Sequence, residues 1–164
     1  MANWREMRIG DLGEIEGIIR AVHPGYFEDV AVFAERMSLY SKGCMSVEGD
    51  GRVLGYGVAH PSRLGRPPLL NNCLSSLPDD ADCLHLHDVA LLPEGRGQGF
   101  PGLFLEELHR QAKGLGLRYL SLIAVAGKED YWRRLGFAVY PGDAELQRRL
   151  GTYGEDSVYM TAEA

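Results

Sequence analysis

The residues of this chain best suited to proton chemistry are two histidines, His85 and His87, in the run Leu84-His85-Leu86-His87-Asp88-Val89-Ala90-Leu91. The alternating aliphatic residues make that run a strand. Side chains two apart on a strand share a face, so His85, His87, Val89 and Leu91 are expected to point one way and Asp88 the other. An imidazole with an ordinary pKa of about 6.5 can take a proton at neutral pH. A second feature follows, Arg96-Gly97-Gln98-Gly99-Phe100-Pro101-Gly102, which opens into Leu103, Leu105 and Leu108 at helical spacing. Strand, glycine-rich loop and helix start, in that order, present unpaired N–H groups and the positive end of a helix dipole to an anion. A phosphate or pyrophosphate held across Arg96 to Gly102 would then lie beside the histidine strand. The pattern points to proton chemistry next to a phosphorylated cofactor.

The rest of the chain must position these two features. A short strand is expected around Trp4 to Ile9. Asp11 follows as an N-cap, and Leu12, Ile15, Ile18, Ile19 and Val22 have the spacing of a helix that Pro24-Gly25 stops. A second helix is expected from Asp29 to Lys42, with Gly43 as its C-terminal glycine. Gly49-Asp50-Gly51 joins two strands, Cys44 to Glu48 and Arg52 to His60, as a hairpin. The polar, proline-rich stretch from Pro61 to Cys83 is long for a compact domain and is expected to border the substrate pocket. After the central unit, the apolar run Tyr119 to Val125 reads as a strand buried on both faces. A short helix from Lys128 to Leu135, a strand from Phe137 to Tyr140, a helical turn or two over Asp143 to Leu150 and a closing strand from Ser157 to Ala162 complete the order. A hairpin combined with later βαβ crossovers implies one α/β domain over residues 1–164, a mixed sheet of about seven strands with helices on both faces.

Composition narrows the function. The chain has 164 residues, 23 Asp and Glu against 17 Lys and Arg, and a net charge of −6. A general nucleic-acid binder needs a basic footprint, so that class is set aside. The three cysteines, Cys44, Cys73 and Cys83, show no Cys-x-x-Cys spacing, which argues against a disulfide framework or a metal site. The N-terminus has no apolar leader and no stretch is long enough to span a membrane. The expectation is a cytoplasmic protein with no metal and no membrane partner.

At this point the motifs carry a resemblance. Val89-Ala90-Leu91-Leu92-Pro93-Glu94-Gly95-Arg96-Gly97-Gln98-Gly99 is similar to the acetyl-CoA signature of the GCN5-related N-acetyltransferases. Tyr131 to Phe137, an aromatic pair followed by Gly136-Phe137, resembles that family's later block. The resemblance implies acetyl-CoA as co-substrate. Val89, Ala90 and Leu91 would pair with the pantetheine arm as an added strand does. Arg96, Gly97, Gln98, Gly99, Phe100, Pro101 and Gly102 would hold the pyrophosphate, and Trp132 would lie near the thiol arm. It further implies direct transfer of an acetyl group to a primary amine, and the acidic balance and the Leu-bearing loop favour a small cation with an apolar part over a protein. Homodimers are common among such relatives.

Two positions depart from the family pattern. Pro101 stands where Gly or Ala is usual and removes one N–H donor. Trp132 occupies the slot where many relatives place a tyrosine that protonates the leaving thiolate, so Tyr131 or another group would supply that proton, or none is needed because a thiolate with a pKa of about 8.5 is a tolerable leaving group. The strand Leu84 to Leu91 is similar to the strand of serotonin (arylalkylamine) N-acetyltransferases whose His-x-His pair deprotonates the amine. By that likeness His85 or His87 is the base. His23, His60 and His109 are read as surface or structural, and Asp88 as a structural or orienting carboxylate.

Two other readings are weighed. Gly97 to Gly102 also fits G-x-G-x-x-G of dinucleotide-binding oxidoreductases. That fingerprint should follow its strand directly and precede a strand ending in an acidic residue. Here Pro93-Glu94-Gly95 intervene and the next strand ends Ile123-Ala124-Val125. A non-catalytic acyl-CoA-binding module is the other alternative, favoured by Pro101 and Trp132 and opposed by the histidine pair.

Overall fold

The computed structural model describes all residues, 1–164. Seven strands form one sheet: β1 (Asn3–Glu6), β2 (Cys44–Gly49), β3 (Arg52–Ser62), β4 (Cys83–Leu91), β5 (Tyr119–Ala124), β6 (Ala138–Val139) and β7 (Val158–Glu163). Their spatial order is β1-β2-β3-β4-β5-β7-β6. Only β4 and β5 run parallel, and the crossover between them carries α3 (Phe100–Gly114). This is the mixed sheet expected from the order of elements.

Helices cover both faces. On one, α1 (Leu12–Val22) and α2 (Val30–Leu39) bury Ile15, Ile18, Ile19, Val32 and Phe33 against Val53, Tyr56, Val58 and Ala90. On the other, α3 and α4 (Glu129–Arg133) bury Phe104, Leu105, Leu108 and Trp132 against Leu84, Leu86, Leu120, Leu122 and Met160. The short α5 (Ala144–Leu150) packs Leu146 and Leu150 on Tyr159. No helix is long and apolar enough to cross a membrane.

Several local readings change in the folded chain. Asp11 is the N-cap residue of α1, as expected, but its side chain accepts from no N–H of that helix. It ends a preceding 3-10 turn, and its carboxylate pairs with Arg5 at 2.8 Å while accepting from the Arg8 N–H and the Ser46 hydroxyl. The Arg5 guanidinium holds its pKa down, to about 2. A tertiary ion pair has taken the oxygen that a cap would need. Asp29 does cap α2, accepting from the Ala31 N–H at 2.9 Å.

Helix α2 stops at Leu39 rather than Lys42, and Gly43 lies in a 3-10 turn instead of a helix C-cap. Glycine is required there by crowding, since a Cβ at Gly43 would sit 2.0 Å from the Ala59 carbonyl oxygen. The hairpin turn is as expected, with Asp50 at φ 54° and Gly51 at φ 75°, the left-handed pair of a type I′ turn.

Candidate active site

The site originates in one irregularity of β4. Strand β4 pairs with β3 in register until Val58 faces Asp88, and then Ala59 faces Leu86. One residue of β3 therefore opposes two of β4, and His87 is the extra one, a β-bulge. Beside it, the parallel pairing of β4 with β5 runs from Cys83 to Leu86 and ends there. Past the bulge β4 follows β3 while β5 continues along β7, and the two strands part. A cleft of about 870 Å³ opens in the fork. That volume suits a small ligand held along most of its length.

The bulge overturns the expected alternation. His87 and Asp88 both line the cleft, so Asp88 is not on the opposite face. Val89 packs toward the α3 side of the sheet and Ala90 toward the α1 side, so Val89 and Leu91 do not share a face with His85. A bulge shifts the two-residue period by one, which no count along the sequence reveals.

Followed from the bulge toward the C-terminal end of β4, the cleft runs past Val89, Ala90 and Leu91 to Arg96, Gly97, Gly99 and Pro101. Gly97 and Gly99 have φ of 78° and 79°. Left-handed residues alternating with ordinary ones turn successive N–H groups toward one point, a nest for an anion. Gly99 is also the N-cap residue of α3, so the free N–H groups of its first turn face the same way, less that of Pro101, which is the second helical residue.

The Arg96 side chain lies back on the Leu91 carbonyl at 3.2 Å and remains exposed. Lys128 enters from the opposite wall. Gln98 and Phe100 do not line the cleft. Gln98 turns back to the Glu94 carbonyl, and the Phe100 ring is buried edge-on against Trp4. Gly102 is within the first turn of α3, also off the cleft wall. These three contribute backbone only.

The opposite wall carries Ile123, Val125, Ala126, Tyr131 and Trp132. Trp132 is buried against Phe137, whereas Tyr131 is 38% exposed. Burial raises the Tyr131 pKa, so its hydroxyl keeps its proton at neutral pH. The cleft thus combines an anion nest, exposed strand backbone and an aromatic wall, and these residues fit an acyl-CoA.

The far end of the cleft holds the polar groups. The His87 Nε2 is 2.7 Å from Glu28 Oε1. Glu28 Oε2 accepts from the Asn71 N–H at 2.9 Å, which ties the long loop down over the site. Leu70 of that loop lines the cleft, as expected of a stretch bordering the pocket. Asp88 is held on both oxygens, by His23 at 3.0 Å and by the Tyr56 hydroxyl at 2.6 Å. Burial alone would raise the Asp88 pKa, but His23 and Tyr56 reverse this and hold it below the usual carboxylate range. Pro24, Tyr26 and Tyr153 complete the walls.

His85 is placed otherwise. It is 1% exposed, does not line the cleft, and meets the Ser121 hydroxyl at 2.8 Å. Burial first, then His60, His87 and Arg36, push its pKa well down, so the ring stays neutral.

Two polar residues of this region, Glu28 and Arg36, were not singled out in the sequence, and His23 and His60, read there as surface or structural, belong to it as well. His60 faces His85 across β3 and β4. His23 comes from the end of α1, Glu28 from the turn before α2, and Arg36 from within α2. None lies in a motif, and only the packing of separate elements collects them.

His23 permits a direct check of this electrostatic arrangement. Burial alone would lower its pKa, but the Asp88 carboxylate more than reverses that, so the net shift is upward. A raised pKa stabilises the fold fully below the unfolded value near 6.5 and ceases to do so as pH climbs through the folded value. The Tm gap between wild type and His23→Gln is therefore expected to be widest near about pH 6 and to narrow toward about pH 9. A gap constant across that range would mean that His23 is not charged against Asp88.

The model of the Acetyltransferase (GNAT) family matches residues 12–137. No curated protein sequence matches significantly. Among solved structures, N-acetylglutamate synthase from Neisseria gonorrhoeae, complexed with coenzyme A and N-acetyl-glutamate, superposes with a TM-score of 0.72 at 15% identity over 99% of this chain. The chain spans only 35% of that longer protein. The GphF GNAT-like decarboxylase in complex with isobutyryl-CoA gives 0.73 at 14% identity, over 98% of each chain. The ribosomal-protein-S18-alanine N-acetyltransferase from Escherichia coli gives 0.65 at 16% identity, over 99% of this chain and 94% of that one. At such identities the likeness is one of fold.

Proposed function

The chain belongs to the GNAT acetyltransferase family, and from that premise we propose that it is an acetyl-CoA-dependent N-acetyltransferase whose acceptor is a small primary amine. One observation carries the reading: a single cleft joins the anion nest at Gly97 and Gly99 to a buried histidine–carboxylate pair, His87 with Glu28. Val89, Ala90, Leu91, Arg96 and Lys128 hold the pantetheine and phosphate portions of the co-substrate, and Trp132 walls its thiol arm.

The acceptor end favours a cation with an apolar part. Its ionisable lining is Glu28 and Asp88 with His23 and His87, and His23 is already committed to Asp88. An ammonium is recognised there by the Glu28 carboxylate, and its apolar part by Pro24, Tyr26, Leu70 and Tyr153. A primary amine with a pKa of about 10 is protonated at neutral pH and has no lone pair to attack with. The Glu28–His87 pair takes one proton and frees it. The nitrogen then attacks the thioester carbonyl carbon, whose oxygen is polarised by strand N–H groups at the bulge. The C–N bond forms, the C–S bond breaks, and the second nitrogen proton balances the thiolate, with Tyr131 as the nearby donor. His85, closed off from the cleft, has no part in this assignment.

A thermal-shift titration with acetyl-CoA, CoA and NADH tests the first half. A ligand bound only by the folded state at 100 times its Kd adds about 2.7 kcal/mol of stability. The expected result is a rise in Tm with both CoA species and none with NADH, followed by thiol release that depends on added amine. A CoA shift with no thiol release across a panel of primary amines would replace the enzyme by an acyl-CoA-binding protein.

A further inference from the structure

Four buried side-chain nitrogens have no protein partner, Arg36 Nε, Arg36 Nη2, His60 Nε2 and His87 Nδ1, and the charges of Arg36 and His87 both act on His60. Buried polar atoms are nearly always paired, so this group needs an occupant. The hydrogens on these atoms say which kind. The other nitrogen of His60, Nδ1, lies 3.0 Å from the Pro61 carbonyl, which can only accept, so Nδ1 carries the hydrogen and Nε2 is bare. By the same argument the Glu28 carboxylate places the His87 hydrogen on Nε2 and leaves Nδ1 bare. Arg36 Nε and Nη2 can only donate.

The four orphans are therefore two acceptors and two donors. An anion has no hydrogen to give to the imidazoles, and a cation cannot accept from the guanidinium. A water molecule gives one hydrogen to each imidazole and accepts from two of the three free Arg36 N–H groups, one on Nε and two on Nη2. The rings of His60 and His87 stand 6.1 Å apart between centroids, a gap that two hydrogen bonds of about 2.9 Å through one oxygen can bridge. Arg36 is fully buried in α2, with one nitrogen on Glu35 and on the Asn72 carbonyl of the overlying loop.

We propose that one buried water, held by Arg36, His60 Nε2 and His87 Nδ1, is a structural part of the site, and that His60 and Arg36 are positioning residues that act through it on His87. The inference rests on the reading of the Glu28–His87 pair as the base, with Glu28 meeting the ammonium and His87 orienting that carboxylate through its Nε2–H. The charged and titratable groups about His87 are Glu28 and Arg36 from the α2 side, His60 and Tyr56 from β3, and His85 and Asp88 from β4. The buried side-chain atoms left without a partner all belong to Arg36, His60 and His87. Glu28 sets the His87 tautomer, and a water on the inner nitrogen, its lone pairs filled by Arg36, holds the orientation of the ring. Loss of His60 removes one of the two imidazoles the water bridges and lets the ring turn.

The test is imidazole NMR on the wild-type chain, with His60→Leu and His60→Gln beside it. In wild type His87 is expected as the Nε2–H tautomer and His60 as the Nδ1–H tautomer, both with cross-peaks to a slowly exchanging water. His60→Leu is expected to remove the His87 water cross-peak and to lower kcat by on the order of tenfold with KM for acetyl-CoA unchanged. His60→Gln, whose amide oxygen can still accept from the water, is expected to restore both. Absence of the water cross-peaks in wild type, which needs no variant to fold, would overturn the proposal. So would an unchanged kcat in a folded His60→Leu chain that has lost the His87 water cross-peak. Intact turnover in His87→Gln, with the cross-peaks present, would instead remove His87 from the chemistry and leave the water site standing.

Discussion

His87→Gln is expected to lower kcat/KM for acetyl transfer by about 10²–10⁴, the usual contribution of a positioned acid–base group. Glutamine retains an amide near the volume of the ring but cannot take a proton at neutral pH. The loss should therefore fall on turnover, while the CoA-induced rise in Tm is preserved, because Gly97, Gly99 and Arg96 are contributed by a different part of the cleft. Steady-state thiol release against a primary amine, with the thermal shift as the binding control, reads both quantities. An activity within a few-fold of wild type would assign deprotonation to another group.

His85→Gln separates position from residue type. His85 lies on the same strand two residues before His87, yet it does not line the cleft and faces Ser121 instead. Its substitution is expected to lower Tm through the lost Ser121 contact and to reduce kcat far less than His87→Gln does. Equal losses of kcat at equal Tm would contradict the geometry.

The largest expected effect on stability comes from Phe104→Ala. Phe104 is 1% exposed, stacks on Trp4 at 5.1 Å, and lies in the same core cluster as Leu86 and Trp132 of the cleft. Removing a buried phenylalanine ring costs about 3–5 kcal/mol. For a domain of this size that is a fall in Tm of roughly 6–20 °C.

A second substitution identifies the contact. A Cβ at Gly57 of β3 would stand 2.7 Å from the Phe104 ring, so glycine is present there because the ring rests on its backbone. Gly57→Ala is expected to destabilise the wild type by overpacking and to cost much less in the Phe104→Ala background, where the space is open. Additive losses in the double variant, measured by denaturant unfolding, would mean that the ring does not rest on that glycine.

Some of this was legible in the sequence, for reasons that are local. The glycines of Arg96 to Gly102 marked an anion nest because only glycine adopts φ of 78° and 79° freely, and both positions hold that conformation. The Asp50-Gly51 turn and the spacing of apolar residues in α1, α2 and α3 were likewise readable, because each depends on residues that are neighbours in the chain. The bounds drifted where a distant partner intervened. The Asp11 carboxylate went to Arg5 rather than to an N–H of α1, and α2 ended early where Gly43 had to pass beneath Ala59.

The site itself divides along the same line. Period and turn chemistry determined that a histidine strand precedes a glycine-rich helix start, since covalent neighbours impose those patterns. Tertiary structure alone decided that His87 reaches the cleft and His85 does not, that Asp88 turns to the same side as His87, and that Glu28, His23, His60 and Arg36 meet there. A single bulge, set by how β4 pairs with β3 and parts from β5, produced each of the first two outcomes. Register is a relation between strands rather than a property of either, and charges brought together from separate elements leave no periodic trace in the chain.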